Sequence, residues 1–243
     1  MSQDAAQSPS ESARLNWTPS DWAAELADRL LALQTEIPDT VRLIVVSKTF
    51  PAEAVRAAYA LGLRDFGENK VQETASKQSE LSDLKDIRWH LIGHLQTNKV
   101  RKALQLFDWI HSVDSLKLAK KLDQGAADLS HSPRCCLQVK IVSDPSKYGF
   151  SVDGLVQALP QLNCLENLEI LGLMTILPFG LAPDQAKTIF EQVRILADNI
   201  NQRKLSRIQI EHLSMGMSGD FRSAIAAGAT CIRLGTALFG RRQ

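Results

Sequence analysis

Residues 43–70 read LIVVSKTFPAEAVRAAYALGLRDFGENK, and the three parts of this stretch decide the fold. Leu43, Ile44, Val45 and Val46 form a short continuous apolar run, the pattern of a strand buried on both faces. Residues 52–61 follow as an amphipathic helical stretch, and residues 64–69 open a second strand. A strand, a helix and a strand in this length imply parallel strands joined by a helical crossover. The first strand surfaces on Ser47 and Lys48. Lysine is the side chain that least tolerates burial, so its position at a strand end calls for a purpose.

The alternation continues to the end of the chain. Strand candidates fall at residues 43–48, 64–69, 88–93, 109–114, 135–141, 169–176, 208–215 and 231–236. Amphipathic stretches at 71–81, 115–125, 152–162 and 183–200 separate them. Eight such units in 243 residues predict an α/β fold, a closed (β/α)8 TIM barrel, as a single domain over residues 19–243. An open doubly wound sheet is the alternative. A helix precedes the first strand, with Ser20 as its cap, Asp21 near its positive end, and Trp22, Leu26, Leu30 and Leu33 as its apolar stripe. Residues 1–18 read as a polar N-terminal extension, open to disorder.

Composition excludes several classes. The net charge of +1 provides no field for nucleic acid or an anionic membrane. No apolar run approaches the roughly 20 residues that cross a bilayer, and the start lacks the pattern of a secretory signal. Four cysteines without CxxC spacing suggest neither a disulfide framework nor zinc. Cys135 and Cys136 are adjacent in a strand and should point to opposite faces. A cytoplasmic protein without a metal is expected.

In such a barrel, chemistry gathers at the carboxyl ends of the strands. Polar residues fall at nearly every one: Lys48; Glu68 and Asn69; His90, with Gly93 and His94 after it; His111, Ser112 and Asp114; Thr175 beside Met174; Ser214 to Ser218; and Arg233, Gly235 and Thr236. From position alone Lys48 can be a surface residue, a phosphate contact, or an amine nucleophile that forms an imine with an aldehyde. The stretch LSMGMSGDFRSAIAAG starts a helix behind Gly216 and Gly219, with Ser218 as its cap and Gly228 as its end. Such a start offers N–H groups to an anion, and RLGT sets Arg233, Gly235 and Thr236 beside it at the next strand end. Loops after strands seven and eight are the usual phosphate cradle of these barrels. An imine-forming lysine and a phosphate cup together describe the anchors of pyridoxal 5′-phosphate (PLP), which brings both an aldehyde and a phosphate.

The motifs VVSKTFP, DFGENKVQE, WHLIGHLQTNK, HSVDS, SKYGF, GLMTI, LSMGMSGDF and IRLGTALFG also resemble the YggS/PROSC family of PLP-binding (PLP homeostasis) proteins, in order over residues 43–241. The resemblance implies a fold type III barrel like the N-terminal domain of alanine racemase, without that enzyme's C-terminal β domain. It implies PLP held as a Schiff base on Lys48, and phosphate contacts from Ser214, Gly216, Met217, Ser218, Gly235 and Thr236. Arg233 matches the family arginine near the cofactor ring, Asn69 and His90 match polar positions at the mouth, and Met174 matches an apolar one.

The same residues bear on catalysis. A charged arginine facing the ring nitrogen keeps it unprotonated and makes the ring a poor electron sink, which disfavours transamination and decarboxylation. Racemization needs a base on each face; Lys48 supplies one and His90 could supply another, though it also suits a structural role. Tyr148 reads as a lid contact and Tyr59 as a helix residue. Glu68 and Glu73 read as a loop contact and a helix face, and His94, His131 and His212 carry no functional expectation. The expected function is therefore non-catalytic PLP homeostasis affecting amino-acid balance, with PLP-dependent apoenzymes as possible recipients and a monomeric state. A PLP-dependent amino-acid racemase is the first alternative. The second is a lysine-imine aldolase that uses no cofactor and binds a phosphorylated sugar.

Overall fold

The computed structural model describes residues 19–240 apart from 130, 131, 143, 145 and 146. The extension over residues 1–18, and His131, lie outside them. Among the described residues, eight strands form the expected barrel: β1 (Arg42–Val46), β2 (Asp65–Glu68), β3 (Arg88–Leu91), β4 (Trp109–Val113), β5 (Arg134–Lys140), β6 (Glu169–Met174), β7 (Ile208–Ser214) and β8 (Cys231–Leu234). Each pairs in parallel with the next, and β8 pairs with β1 to close the ring. A two-residue strand, Phe150–Ser151, adds to the end of β5.

The helices follow as α1 (Pro19–Gln34), α2 (Ala52–Ala60), α3 (Val71–Glu80), α4 (Val100–Leu106), α5 (Leu116–Leu129), α6 (Val152–Leu162), α7 (Pro183–Gln202), α8 (Phe221–Ala226) and α9 (Thr236–Phe239). Helix α1 packs on α2 and α9, so it covers the seam where β1 meets β8. Among the described residues it runs from Pro19, so Ser20 lies within the helix rather than before it.

Two cores result from the alternation of strand side chains. The outer one, between strands and helices, is large and apolar; Leu26, Val45, Phe66, Ile110, Cys135 and Phe190 belong to it. The inner one is a small cluster of Trp109, Cys136 and Met174. Cys135 and Cys136 thus occupy opposite faces of β5, as strand alternation requires. The rest of the barrel interior is polar: His90, His111, Ser214 and Arg233 are all buried there. Polar side chains at these depths must find hydrogen-bond partners, because an unpaired buried group costs roughly 1–3 kcal/mol.

The closing register fixes the rim. Ile44 pairs with Arg233 and Val45 with Leu234. Lys48 and Gly235 therefore both lie just past the carboxyl ends of adjacent strands. No helix among the described residues is long and apolar enough to cross a membrane, and none of their His, Cys, Asp and Glu side chains group as a metal site.

Candidate functional site

A cavity of about 800 Å³ opens at this rim. Seven of the eight strands contribute to its wall, themselves or through the loops that follow them, with β4 the exception. Of the cofactor contacts expected from sequence, Lys48, Asn69, Met217, Ser218, Arg233, Gly235 and Thr236 line it, as does Tyr148, expected as a lid contact. The lysine and the two glycine-bearing turns therefore share one space.

Local backbone explains how they reach it. After β1 the chain turns, with Phe50 N donating to Ser47 O at 3.0 Å, and Lys48 sits within that turn rather than in the strand. Asn69 reaches the wall because the loops after β2 and β3 approach closely. A Cβ on Gly93 would lie 2.5 Å from Asn69 O, so only glycine permits the approach. After β7, Gly216 takes a left-handed φ of 96°, and a Cβ there would lie 2.6 Å from the Ala224 Cβ. The turn then closes on Asp220, whose Oδ1 accepts from Met217 N at 2.6 Å. Asp220, not Ser218, is the residue preceding α8. The Ser218 hydroxyl instead accepts from Ala237 N at 3.2 Å and stitches the β7 turn to the β8 turn.

These two turns suit an anion. A Cβ on Gly219 would meet nothing within 4 Å, so the turn presents bare backbone to the cavity. The starts of α8 and α9 converge on the same side, and the first N–H groups of any helix lack intrahelical acceptors. Lys48 and Arg233 add two cations to the wall. A lysine amine, an open backbone cup and a buried guanidinium are the donor set that an aldehyde-bearing aromatic phosphate requires, so the residues present fit PLP.

Arg233 is 3% exposed. Its Nη1 donates to Ser214 O at 2.6 Å and to Ser214 Oγ at 2.7 Å, and its Nη2 donates to Thr175 O at 2.9 Å. Burial pulls its pKa down to about 10, which still leaves it a cation at neutral pH. No carboxylate among the described residues pairs with it directly. Instead a buried chain leads from it through the barrel. Ser214 Oγ meets His111 Nδ1 at 2.9 Å, His111 Nε2 meets His90 Nδ1 at 2.9 Å, and His90 Nε2 meets Asp65 Oδ1 at 2.9 Å.

The proton positions in this chain follow from its far end. Burial alone would raise the Asp65 pKa, but hydrogen bonds from Arg88 and His90 outweigh it and hold the carboxyl well below its usual range. An ionised Asp65 only accepts, so His90 carries its proton on Nε2. Burial also depresses the pKa of both histidines, His111 strongly, so each is neutral with one proton. His90 Nδ1 must then accept from His111 Nε2–H. His111 Nδ1 accepts from the Ser214 hydroxyl, whose oxygen accepts from Arg233. Every link points its acceptor toward Arg233 and its donor toward Asp65, so the aligned dipoles favour both end charges.

Four of the residues expected at the cofactor are not among those that line the cavity. His90 and Ser214 are buried links of the chain and are not among the residues that line the cavity. Met174 is fully buried in the inner cluster with Trp109 and Cys136. Gly216 shapes the turn from behind, one residue before the lining begins. Conversely, the cavity recruits residues that carried no expectation. His94 lines it, stacked on Tyr148 at 3.6 Å between ring centroids, with Nδ1 2.8 Å from Asp114 Oδ2. Gln138 lines it too, its Nε2 donating to Tyr148 O at 2.9 Å, and Lys147 donates to Leu177 O at 2.5 Å across the same rim. His94 stood at a strand end in the sequence, and that position was the available signal.

Comparison with known proteins shows the chain's family. Residues 23–243 match the family model described as alanine racemase, N-terminal domain. A pyridoxal phosphate homeostasis protein of Synechocystis sp. (strain PCC 6803) is 49% identical over 206 residues, which is 85% of this chain and 94% of the relative. The solved structure of PipY from Synechococcus elongatus PCC7942, with PLP bound, is 50% identical, superposes with a TM-score of 0.84, and covers 88% of this chain and 100% of that one. An alanine racemase of Clostridium difficile 630 superposes with a TM-score of 0.71 over 90% of this chain and 57% of that one. At 16% identity, that last likeness is one of fold.

Proposed function

The chain belongs to the alanine racemase N-terminal domain family and, within it, to the pyridoxal phosphate homeostasis proteins, and from that premise we propose that it binds PLP at the barrel mouth as a carrier rather than a catalyst. One observation carries the reading: Lys48, Arg233 and the two glycine-bearing turns line a single cavity on one rim. PipY, solved with PLP, is the relative from which the ligand is brought to this chain.

When bound, PLP supplies an aldehyde that a lysine amine captures with loss of water, and a phosphate that docks independently. In this reading Lys48 is the capturing amine. The turns through Met217–Asp220 and Gly235–Thr236 would receive the phosphate, Asn69 would hold the ring, and Arg233 would supply a donor to the ring nitrogen. Three of its hydrogen bonds are committed to Ser214 and Thr175, so it is fixed in place and donates only. A nitrogen opposite a fixed cationic donor accepts a hydrogen bond and stays unprotonated, which withholds the electron sink that most PLP enzymes need.

The racemase alternative loses its proposed second base. Both nitrogens of His90 are committed to Asp65 and His111, and the ring lies outside the cavity wall. What remains to it is His94, paired with Asp114 and stacked on Tyr148 at the rim. Delivery of PLP to dependent apoenzymes, a monomeric state and a cytoplasmic location complete the carrier reading.

The absorbance spectrum of the purified protein with PLP tests it. The wild type is expected to turn yellow and Lys48→Ala to stay colourless; a wild-type protein that takes up no PLP contradicts the reading, as does colour that survives in Lys48→Ala. A phosphorylated-sugar aldolase predicts no colour in either. Incubation with amino acids in deuterium oxide separates carrier from racemase. Exchange at Cα is expected to match the protein-free control, and rapid exchange by the wild type would favour the racemase.

A further inference from the structure

The turn that carries Lys48 is strained, and a buried charge cluster grips it from both sides. Residues Ser47 to Phe50 form a hydrogen-bonded four-residue turn, in which Thr49 occupies the third position with a φ of 65°. A positive φ there is the demand that glycine usually meets, and a β-branched residue adopts it only when its surroundings compel it. The compelling groups come from β2 and α3. Thr49 N donates to Glu73 Oε1. Lys77 Nζ donates to Ser47 O at 2.6 Å, to Glu68 Oε1 at 2.5 Å and to Glu73 Oε1 at 3.3 Å. The Ser47 hydroxyl donates to the same Glu68 Oε1 at 2.7 Å. The residues immediately before and after Lys48 are therefore both tied to one cluster.

We propose that Glu68, Glu73 and Lys77 are positioning residues for Lys48, holding the Ser47–Phe50 turn in the form that presents the lysine to the cavity. The inference rests on the reading of Lys48 as the PLP-capturing amine and goes beyond it by naming what aims that amine. Stability alone does not account for the cluster. The side chains of Glu68 and Lys77 are 0% and 6% exposed, and ion pairs buried this deeply return little net stability over an apolar replacement. Glu68 Oε2 has no hydrogen-bond partner among the described residues, a further cost. Its benefit lies in geometry: three side chains from two elements over-determine one turn. None of the three lines the cavity, so they act through Lys48 rather than on the cofactor.

Glu73 is the member to vary, because its side chain is 25% exposed and its loss leaves the Glu68–Lys77 pair in place. The experiment follows the rate of PLP uptake by absorbance and the fraction fixed on Lys48 by borohydride, with circular dichroism and melting of the apo-protein as fold controls. Glu73→Ala is expected to slow capture and weaken binding on the order of tenfold, the usual effect of losing one charge-assisted hydrogen bond. Glu73→Gln, whose amide oxygen still accepts from Thr49 N–H, is expected to recover most of the loss. Adding Thr49→Gly to Glu73→Ala is expected to recover part of it, since glycine takes the left-handed φ without help. A Glu73→Ala protein that captures PLP at the wild-type rate overturns the proposal. So does a loss that neither Glu73→Gln nor Thr49→Gly relieves. A wild-type protein that binds no PLP, or fixes it away from Lys48, overturns the cofactor reading itself and the positioning role with it.

Discussion

His90, His111 and His212 are ionisable groups that folding holds neutral, burial being the first cause in each. Their folded pKa values lie below the ordinary value near 6.5, so the unfolded chain takes up protons first as the pH drops. Stability should therefore fall as the pH falls through the unfolded histidine range, by about 1.4 kcal/mol per pH unit for each histidine kept neutral. Asp65 acts in the same direction but at lower pH, because its depressed pKa contributes stability above the unfolded carboxylate range that is lost beneath it. Denaturant midpoints between pH 7.5 and pH 5 check this, and a flat profile over that interval would contradict the neutral relay. Lys48 and Arg233 were legible in the sequence because a charge at the end of an apolar run is anomalous. The burial of His90, Ser214 and Met174 was not. Alternation along a strand says which face a side chain takes, but not which neighbours close over it, and Ser214 and Met174 are buried even as the last residues of their strands.

At the level of elements, the loops after β2 and β3 make the sharpest prediction. Gly93→Ala places a Cβ against the backbone of Asn69, which cannot rotate away as a side chain tip would. The expected cost is about 1–3 kcal/mol of stability, together with weaker PLP binding as Asn69 shifts from the cavity wall. Urea titration and a PLP binding curve on the same variant measure both, and wild-type values in both would show that the approach is not tight. All eight strands and their parallel order were legible, since apolar runs alternate with amphipathic stretches throughout. The two-residue strand Phe150–Ser151 was not, being too short to carry a period. The role of Ser218 was misread because the fold turns its hydroxyl toward Ala237, nineteen residues on, instead of toward its own helix. The burial of Glu68 and Lys77 was hidden for the same reason: a charge on α3 looks solvated until β2 is packed against it.

Across the whole molecule, closure of the ring is what turns separate motifs into a site. Residues near the two ends of the chain meet because β8 pairs with β1, which sets Lys48 beside Gly235 and Arg233 on one rim. The opposite end of the relay, at Asp65 and Arg88, borders a second hollow near the strands' amino ends, lined also by Arg42 and His212. The barrel thus carries a continuous polar thread inside an apolar sleeve, an arrangement the composition of single segments did not reveal. In the proposed reading, the cofactor's aldehyde and phosphate would be held by chemistry from strands one, seven and eight at once. Borohydride reduction of the native protein with PLP, followed by mass mapping of its peptides, tests this most directly. A pyridoxyl group is expected on the peptide containing Lys48. Its appearance on Lys147, the other lysine that lines the cavity, or on any lysine elsewhere, would contradict it.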